Sequence, residues 1–325
     1  MTEQLRAARK DFSRVGLALL TVAGVAVVLQ LGFSMILEFL FPAEDLLTDH
    51  PLLLWLLTFA PMYLVAMPAG LLVFRRISAE PVAPQKMEWK HFGILMLICM
   101  PIMYAGNIIG TFLSLLLSGG TAENILMDYV FSSPLYTFLV AVLIAPFMEE
   151  YIFRKQIIDR CGKYGEVTAI LVSALTFALF HMNLFQFFYA FGLGILMAYA
   201  YTRTRMLRYP VLMHMIINFI GSVLAPAVLN LLDMEALESL SAGQFDPEML
   251  VSSLPGLLLY FGYAALLNVL YVAGFVFLII RWKKRTILPT AQELPKGSHF
   301  KTVWLNVGMI LYFLFTLAFT VFSLL

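Results

Sequence analysis

The chain has 325 residues, 61% of them hydrophobic and only 13% charged, with a mean hydropathy of +0.88. A soluble domain is nearer about 45–50% apolar and about 25% charged, so the composition excludes a soluble globular protein and indicates a polytopic membrane protein. The net charge of +1 gives no case for nucleic-acid binding, and the two cysteines, Cys99 and Cys161, suggest neither a disulfide framework nor a zinc knuckle.

In chain order, a polar N-terminal stretch leads into an apolar segment too long for a signal-peptide core, which reads as a retained first helix. A helix needs about 20 apolar residues to cross the hydrocarbon core. Segments that meet or approach this are 15–41, 52–74, 92–117, 134–154, 166–182, 184–202, 210–232, 255–280 and 302–325. Pro42, Pro51, Gly119-Gly120, Pro134, Gly162, Pro210 and Pro255 punctuate them. The expected fold is all-α, a transmembrane helix bundle of about 8–9 spans. Three parts are expected: N-terminal helices over 1–133, a core over 134–222, and an outer loop with C-terminal helices over 223–325. Gly106 and Gly110 have the small-xxx-small spacing that lets helices approach closely. No internal repeat is evident, which counts against a transporter built on inverted repeats.

Charge sets the orientation. All 21 basic residues fall before the first span, after the second, fourth and sixth, or between the eighth and ninth. The alternate loops hold Glu44, Asp45 and Asp49, then Glu123 and Asp128, then Asp233, Glu235, Glu238, Asp246 and Glu248, with no Lys or Arg. The positive-inside rule then predicts a cytoplasmic N-terminus and a C-terminus on the outer side.

Residues 146–154, Pro-Phe-Met-Glu-Glu-Tyr-Ile-Phe-Arg, end an apolar run. A charge well inside a bilayer costs at least ~2.5–3.5 kcal/mol, so it usually faces the protein interior and has a task. Glu150 and Arg154 are i and i+4 on a helix, so Arg154 is expected to pair with Glu150. Glu149 points about 100° away and stays free to act as a base. The competing reading is an interfacial salt bridge that merely ends a span. His181 closes Phe177-Ala178-Leu179-Phe180-His181, with Phe177 on its own face as an apolar wall. His214 and Asn218, also i and i+4, could donate two hydrogen bonds to a developing oxyanion. Each group alone is as well explained by packing. Three such groups in three apolar spans within 70 residues make coincidence a poor account.

Taken as an ordered set, Glu149-Glu150-x-x-x-Arg154, Phe177-x-x-x-His181 and His214-x-x-x-Asn218 resemble the CPBP family of intramembrane proteases. These are the CAAX proteases and bacteriocin-processing enzymes, also called the Abi family, and they include the type II prenyl endopeptidases. Gly192, Tyr201-Thr202-Arg203-Thr204 and Pro210 fit the linking stretch, and the likeness covers roughly residues 134–222. The resemblance implies a peptide hydrolase in which Glu149 activates water, His181 helps hold that water, and His214 with Asn218 stabilises the oxyanion. Glu150 and Arg154 would position Glu149. Glu149, His181 and His214 could hold Zn2+ with an open fourth position, although no His-Glu-x-x-His is present and the reading leans to no tightly bound metal. The implied partners are the bilayer and a peptide or membrane-protein substrate, in some relatives lipidated. The expected location is the cell membrane, with the site toward the cytoplasm. The alternatives are a non-catalytic scaffold or immunity protein of the same fold and a proton-coupled transporter. One difficulty stands out. Counted from the span ends, Glu149 and His214 lie near the cytoplasmic side, while His181 lies about 22 Å from Glu166. The three meet only if the fifth helix starts in the cytoplasm or is strongly tilted.

Overall fold

The computed structural model describes residues 2–41, 50–124, 126–241, 247–282 and 287–325, and among these there is no β-strand. Pro42, Glu44, Asp45, Asp49, Asp246, Lys283, Lys284 and Arg285, used above for topology, lie outside the described residues. Among the described residues nine apolar helices carry the architecture: α1 (Glu3–Leu40), α2 (Pro51–Phe74), α3 (Trp89–Leu117), α4 (Pro134–Tyr164), α5 (Glu166–Phe180), α6 (Leu184–Thr204), α7 (Arg208–Leu229), α8 (Pro247–Trp282) and α9 (Val307–Phe322). Seven of them are long and apolar enough to cross a membrane, whereas α5 and α9 have 15 and 16 residues. The protein is an all-α polytopic bundle.

Local chemistry sets the helix ends. Thr2, Ser133, Asn183 and Asn306 sit before α1, α4, α6 and α9, and each side chain accepts from a first-turn backbone N–H. Pro51 and Pro134 occupy first-turn positions, where the missing N–H is harmless. Gly165 joins α4 to α5 with φ +130°, a conformation that favours glycine. Met182 (φ 51°) turns the chain between α5 and α6.

Several boundaries differ from those read in the sequence. The fourth helix runs to Tyr164, ten residues beyond the expected end at Arg154. The arginine looked like an interfacial terminator, but its side chain is wholly buried. Pro210 and Pro255, the expected first residues of the seventh and eighth spans, fall inside α7 and α8, which begin at Arg208 and Pro247. The last segment breaks at Leu305-Asn306, so α9 begins at Val307.

Helix α1 packs against α2 and α9, α3 against α6 and α8, and α5 against α6. Both α3 glycines lie in the contact with α6. A Cβ on Gly106 would stand 2.5 Å from the Tyr189 backbone, and one on Gly110 would stand 2.7 Å from the carbonyls of Leu184 and Phe185. The small-xxx-small spacing thus marks a real close approach. The loops that carry the basic residues share one end of the bundle. The Arg160 guanidinium donates to the Phe74 carbonyl, Gln85 N–H to Thr204 and Leu294 N–H to Tyr164.

Candidate active site

A break in the α4 hydrogen-bond ladder prepares the site. Residues Thr137–Ile144 form π-helical turns, and the Ala145 N–H bonds back to Val140. The next carbonyl, that of Ala141, would take the N–H of residue 146, which is proline and has none. Asn218 of α7 fills the vacancy, its Nδ2 donating to the Ala141 carbonyl at 2.8 Å. One helical turn further on stand Glu149 and Glu150.

The two glutamates have different surroundings. Glu150 is fully buried and forms an ion pair with the equally buried Arg154. Arg154 Nη2 donates to Oε1 at 3.1 Å; Nε lies 2.8 Å from Oε2, close enough for an ion pair but outside hydrogen-bond geometry. Nη1 donates to Ser173 Oγ at 3.2 Å, and the guanidinium carbon lies 4.5 Å from the Phe177 ring centroid. A lone buried charge of either sign would be costly; here the charges offset one another and most donors are used. Glu149 keeps 14% of its side chain exposed, enough to reach a cavity from which Glu150 is excluded.

Glu150 also does something the i,i+4 reading missed. Its Oε1 lies 3.0 Å from His214 Nδ1. A carboxylate paired with arginine only accepts, so Nδ1 carries the proton and Nε2 faces outward, 3.9 Å from Glu149 Oε2. Neutral His214 therefore presents an acceptor, and it can donate to an oxyanion only with a second proton on Nε2. For His181, Nδ1 lies 2.9 Å from the Phe177 carbonyl and must donate to it, which leaves Nε2 as an acceptor. Phe177 stands edge-to-face to both imidazoles, with ring centroids 4.8 Å from His181 and 5.8 Å from His214.

The apparent difference in depth disappears. Helices α4 and α5 run antiparallel from the Gly165 turn, with Ser173 Oγ donating to the Phe153 carbonyl at 2.8 Å. Fifteen residues lead from Tyr164 back to Glu149, and fifteen lead from Glu166 on to His181. Helix α7 begins deeper in the bundle, where Leu207 packs on the cluster of Ile158, Ile170 and Tyr201. Seven residues beyond Leu207 place His214 level with Glu150, eight residues before Ile158. Starting every span at one plane produced the mismatch.

Glu149, His181, His214 and Asn218 all line one cavity of about 590 Å³, while Glu150 and Arg154 lie behind its wall. Asn218 has one amide N–H committed to Ala141, so at most one remains for a ligand. The zinc set does not fit as placed. Among the described residues no three His, Cys, Asp or Glu side chains converge to hold a metal. The 3.9 Å from His214 Nε2 to Glu149 Oε2 is longer than the roughly 3.3–3.6 Å between two ligands that stand about 2.0–2.2 Å from one tetrahedral zinc.

Ser173 and Met197, which complete the shell around Arg154, belong to none of the three sequence motifs. Ser173, Phe177 and His181 recur at i, i+4 and i+8, a stripe that was available as a signal. Nothing local distinguishes Met197 from other apolar residues of α6.

Residues 131–220 match the family described as Rce1-like, type II CAAX prenyl endopeptidase Rce1-like. Over 113 residues the chain is 37% identical to the membrane-embedded CAAX protease MroQ of Staphylococcus aureus (strain USA300), an alignment covering 32% of this chain and 43% of that protein. The chain thus matches less than half the length of this curated relative. No solved structure gives a significant match. The resemblance read from the three motifs holds: the central segment is similar to CAAX proteases.

Proposed function

We propose that this chain is an intramembrane endopeptidase that hydrolyses a peptide bond with a water activated by Glu149. One observation carries the reading. Glu149, His181, His214 and Asn218 come from three separate parts of the chain and line one cavity, while Glu150 and Arg154 form a buried pair behind it. Glu149 takes a proton from water as the water oxygen attacks the scissile carbonyl carbon. The carbonyl oxygen becomes an oxyanion. As the C–N bond breaks, Glu149 returns the proton to the departing amine. His181 Nε2 accepts from the attacking water and fixes its direction. His214, oriented through Nδ1–H by Glu150, donates to the oxyanion from Nε2 when that nitrogen has taken a proton from solvent, and the free N–H of Asn218 is the second donor. Glu150 is a positioning residue for His214 as well as the partner of Arg154. As placed, the donors do not fit zinc, so no step is routed through a metal.

Replacing Glu149 with Gln keeps the size and removes the base. Comparative membrane proteomics of cells carrying wild type or Glu149→Gln reads the outcome. Protein termini present only with wild type are expected, since general acid–base catalysis contributes about 10²–10⁴-fold. Identical termini in both strains would refute the assignment.

A further inference from the structure

The cavity is closed at one end. Toward the Gly165 turn the bundle is filled by Glu150, Arg154 and Ser173, all without exposure, and behind them by Phe153, Ile157 and Tyr201, each exposed by 1% or less. Beyond this plug lies the end where the basic loops are tied together, with Asp159 bonded to Tyr201 and Arg205. In the opposite direction the lining itself runs on toward the other end of the bundle, among the described residues. The cavity wall continues from Asn218 to Ser222 on α7 and ends at Glu123 and Asn124, in the loop that precedes α4. That loop, residues 118–133, contains acidic residues and no Lys or Arg. Glu149 stands midway, fifteen residues from each end of α4, or ~22 Å along the helix.

We propose that the site is entered from the face of the loops that lack Lys and Arg, which the positive-inside rule places outside the cytoplasm. Its substrates are then polypeptide segments that reach it from the outer side of the membrane, the reverse of the cytoplasm-facing site expected from span ends. The term substrate rests on the endopeptidase reading; the direction of entry does not.

Cysteine accessibility tests this without turnover. The native Cys99 and Cys161 have no exposed surface, so background labelling is low. Asn124→Cys at the mouth, Ser222→Cys along the wall and Lys155→Cys beyond the plug are made in the full chain. Each is treated with a membrane-impermeant maleimide in spheroplasts and in inside-out vesicles. Asn124→Cys and Ser222→Cys are expected to label at least about tenfold more from the outer side, and Lys155→Cys more from inside-out vesicles. Labelling of Ser222→Cys from inside-out vesicles alone, or from neither side, overturns the proposal. Adding Glu149→Gln leaves the expected pattern unchanged, because access needs no chemistry. A protein that labels as expected but generates no new termini refutes the endopeptidase reading and leaves the entry route standing.

Discussion

Removing Arg154 should damage the fold more than any exposed substitution, and a second change should repair most of the damage. Arg154→Met keeps an apolar stem of similar length but strips Glu150 of its cation at a site with no solvent exposure. Breaking a buried pair by removing one partner costs about 3–5 kcal/mol, because the other charge stays buried. At ~2–4 °C per kcal/mol for a large domain, the melting temperature should fall by on the order of 10 °C. Glu150→Gln in the same chain removes the stranded charge, and the Gln carbonyl still accepts from His214 Nδ1. The double variant should therefore regain most of the loss. Detergent-solubilised protein heated with a thiol-reactive fluorophore measures this directly, since Cys99 and Cys161 become reactive only when their surroundings open. A loss below about 2 °C in the single variant, or a double variant no more stable than the single, would refute the view of this pair as a coupled, fully desolvated unit.

Asn218→Ala should lose one oxyanion donor, lowering the cleavage rate by about 10²–10³-fold, and also cost about 1 kcal/mol of stability by orphaning the Ala141 carbonyl. In a Pro146→Ala background, where residue 146 supplies a backbone N–H, the stability part should vanish in the same thermal assay while the rate loss remains. Gly110→Val should push α3 from α6, because its Cβ would meet two backbone carbonyls at 2.7 Å. The cost should be about 1–3 kcal/mol, read as a lower melting temperature. Elemental analysis of the purified protein should find well under one zinc per chain; a stoichiometric zinc would mean that Glu149, His181 and His214 rearrange to converge.

Much of the site was readable because it is written in helical spacing. Glu150 with Arg154 and Phe177 with His181 are i,i+4 relations, which are local and survive folding. His214 with Asn218 has the same spacing, yet its reading as a ready pair of donors needed revision. Their polar atoms are engaged by Glu150 and by Ala141, residues 64 and 77 positions away in the chain. Such partners depend on how α4 and α7 pack, and on a backbone vacancy left by Pro146. Apolar runs located the helices but not their ends. Arg154 and Pro210 normally signal a boundary, and here one is buried in an ion pair and the other sits harmlessly in a first turn. The direction of the cavity is carried by no motif, since it depends on which layers of the bundle are filled.

The Gly165 turn has a consequence for how this chain can change over time. Because α4 and α5 fold back alongside each other at that turn, Glu149 and His181 meet only while fifteen residues separate each from it. Inserting or deleting one residue on either arm would shift one group by about 1.5 Å and swing it by about 100°. The two arms therefore act as a ruler, tolerant of altered lettering but not of altered length. Insertions and deletions in working descendants should collect in the connections outside residues 149–181, and a length change inside that interval should survive only when matched on the other arm.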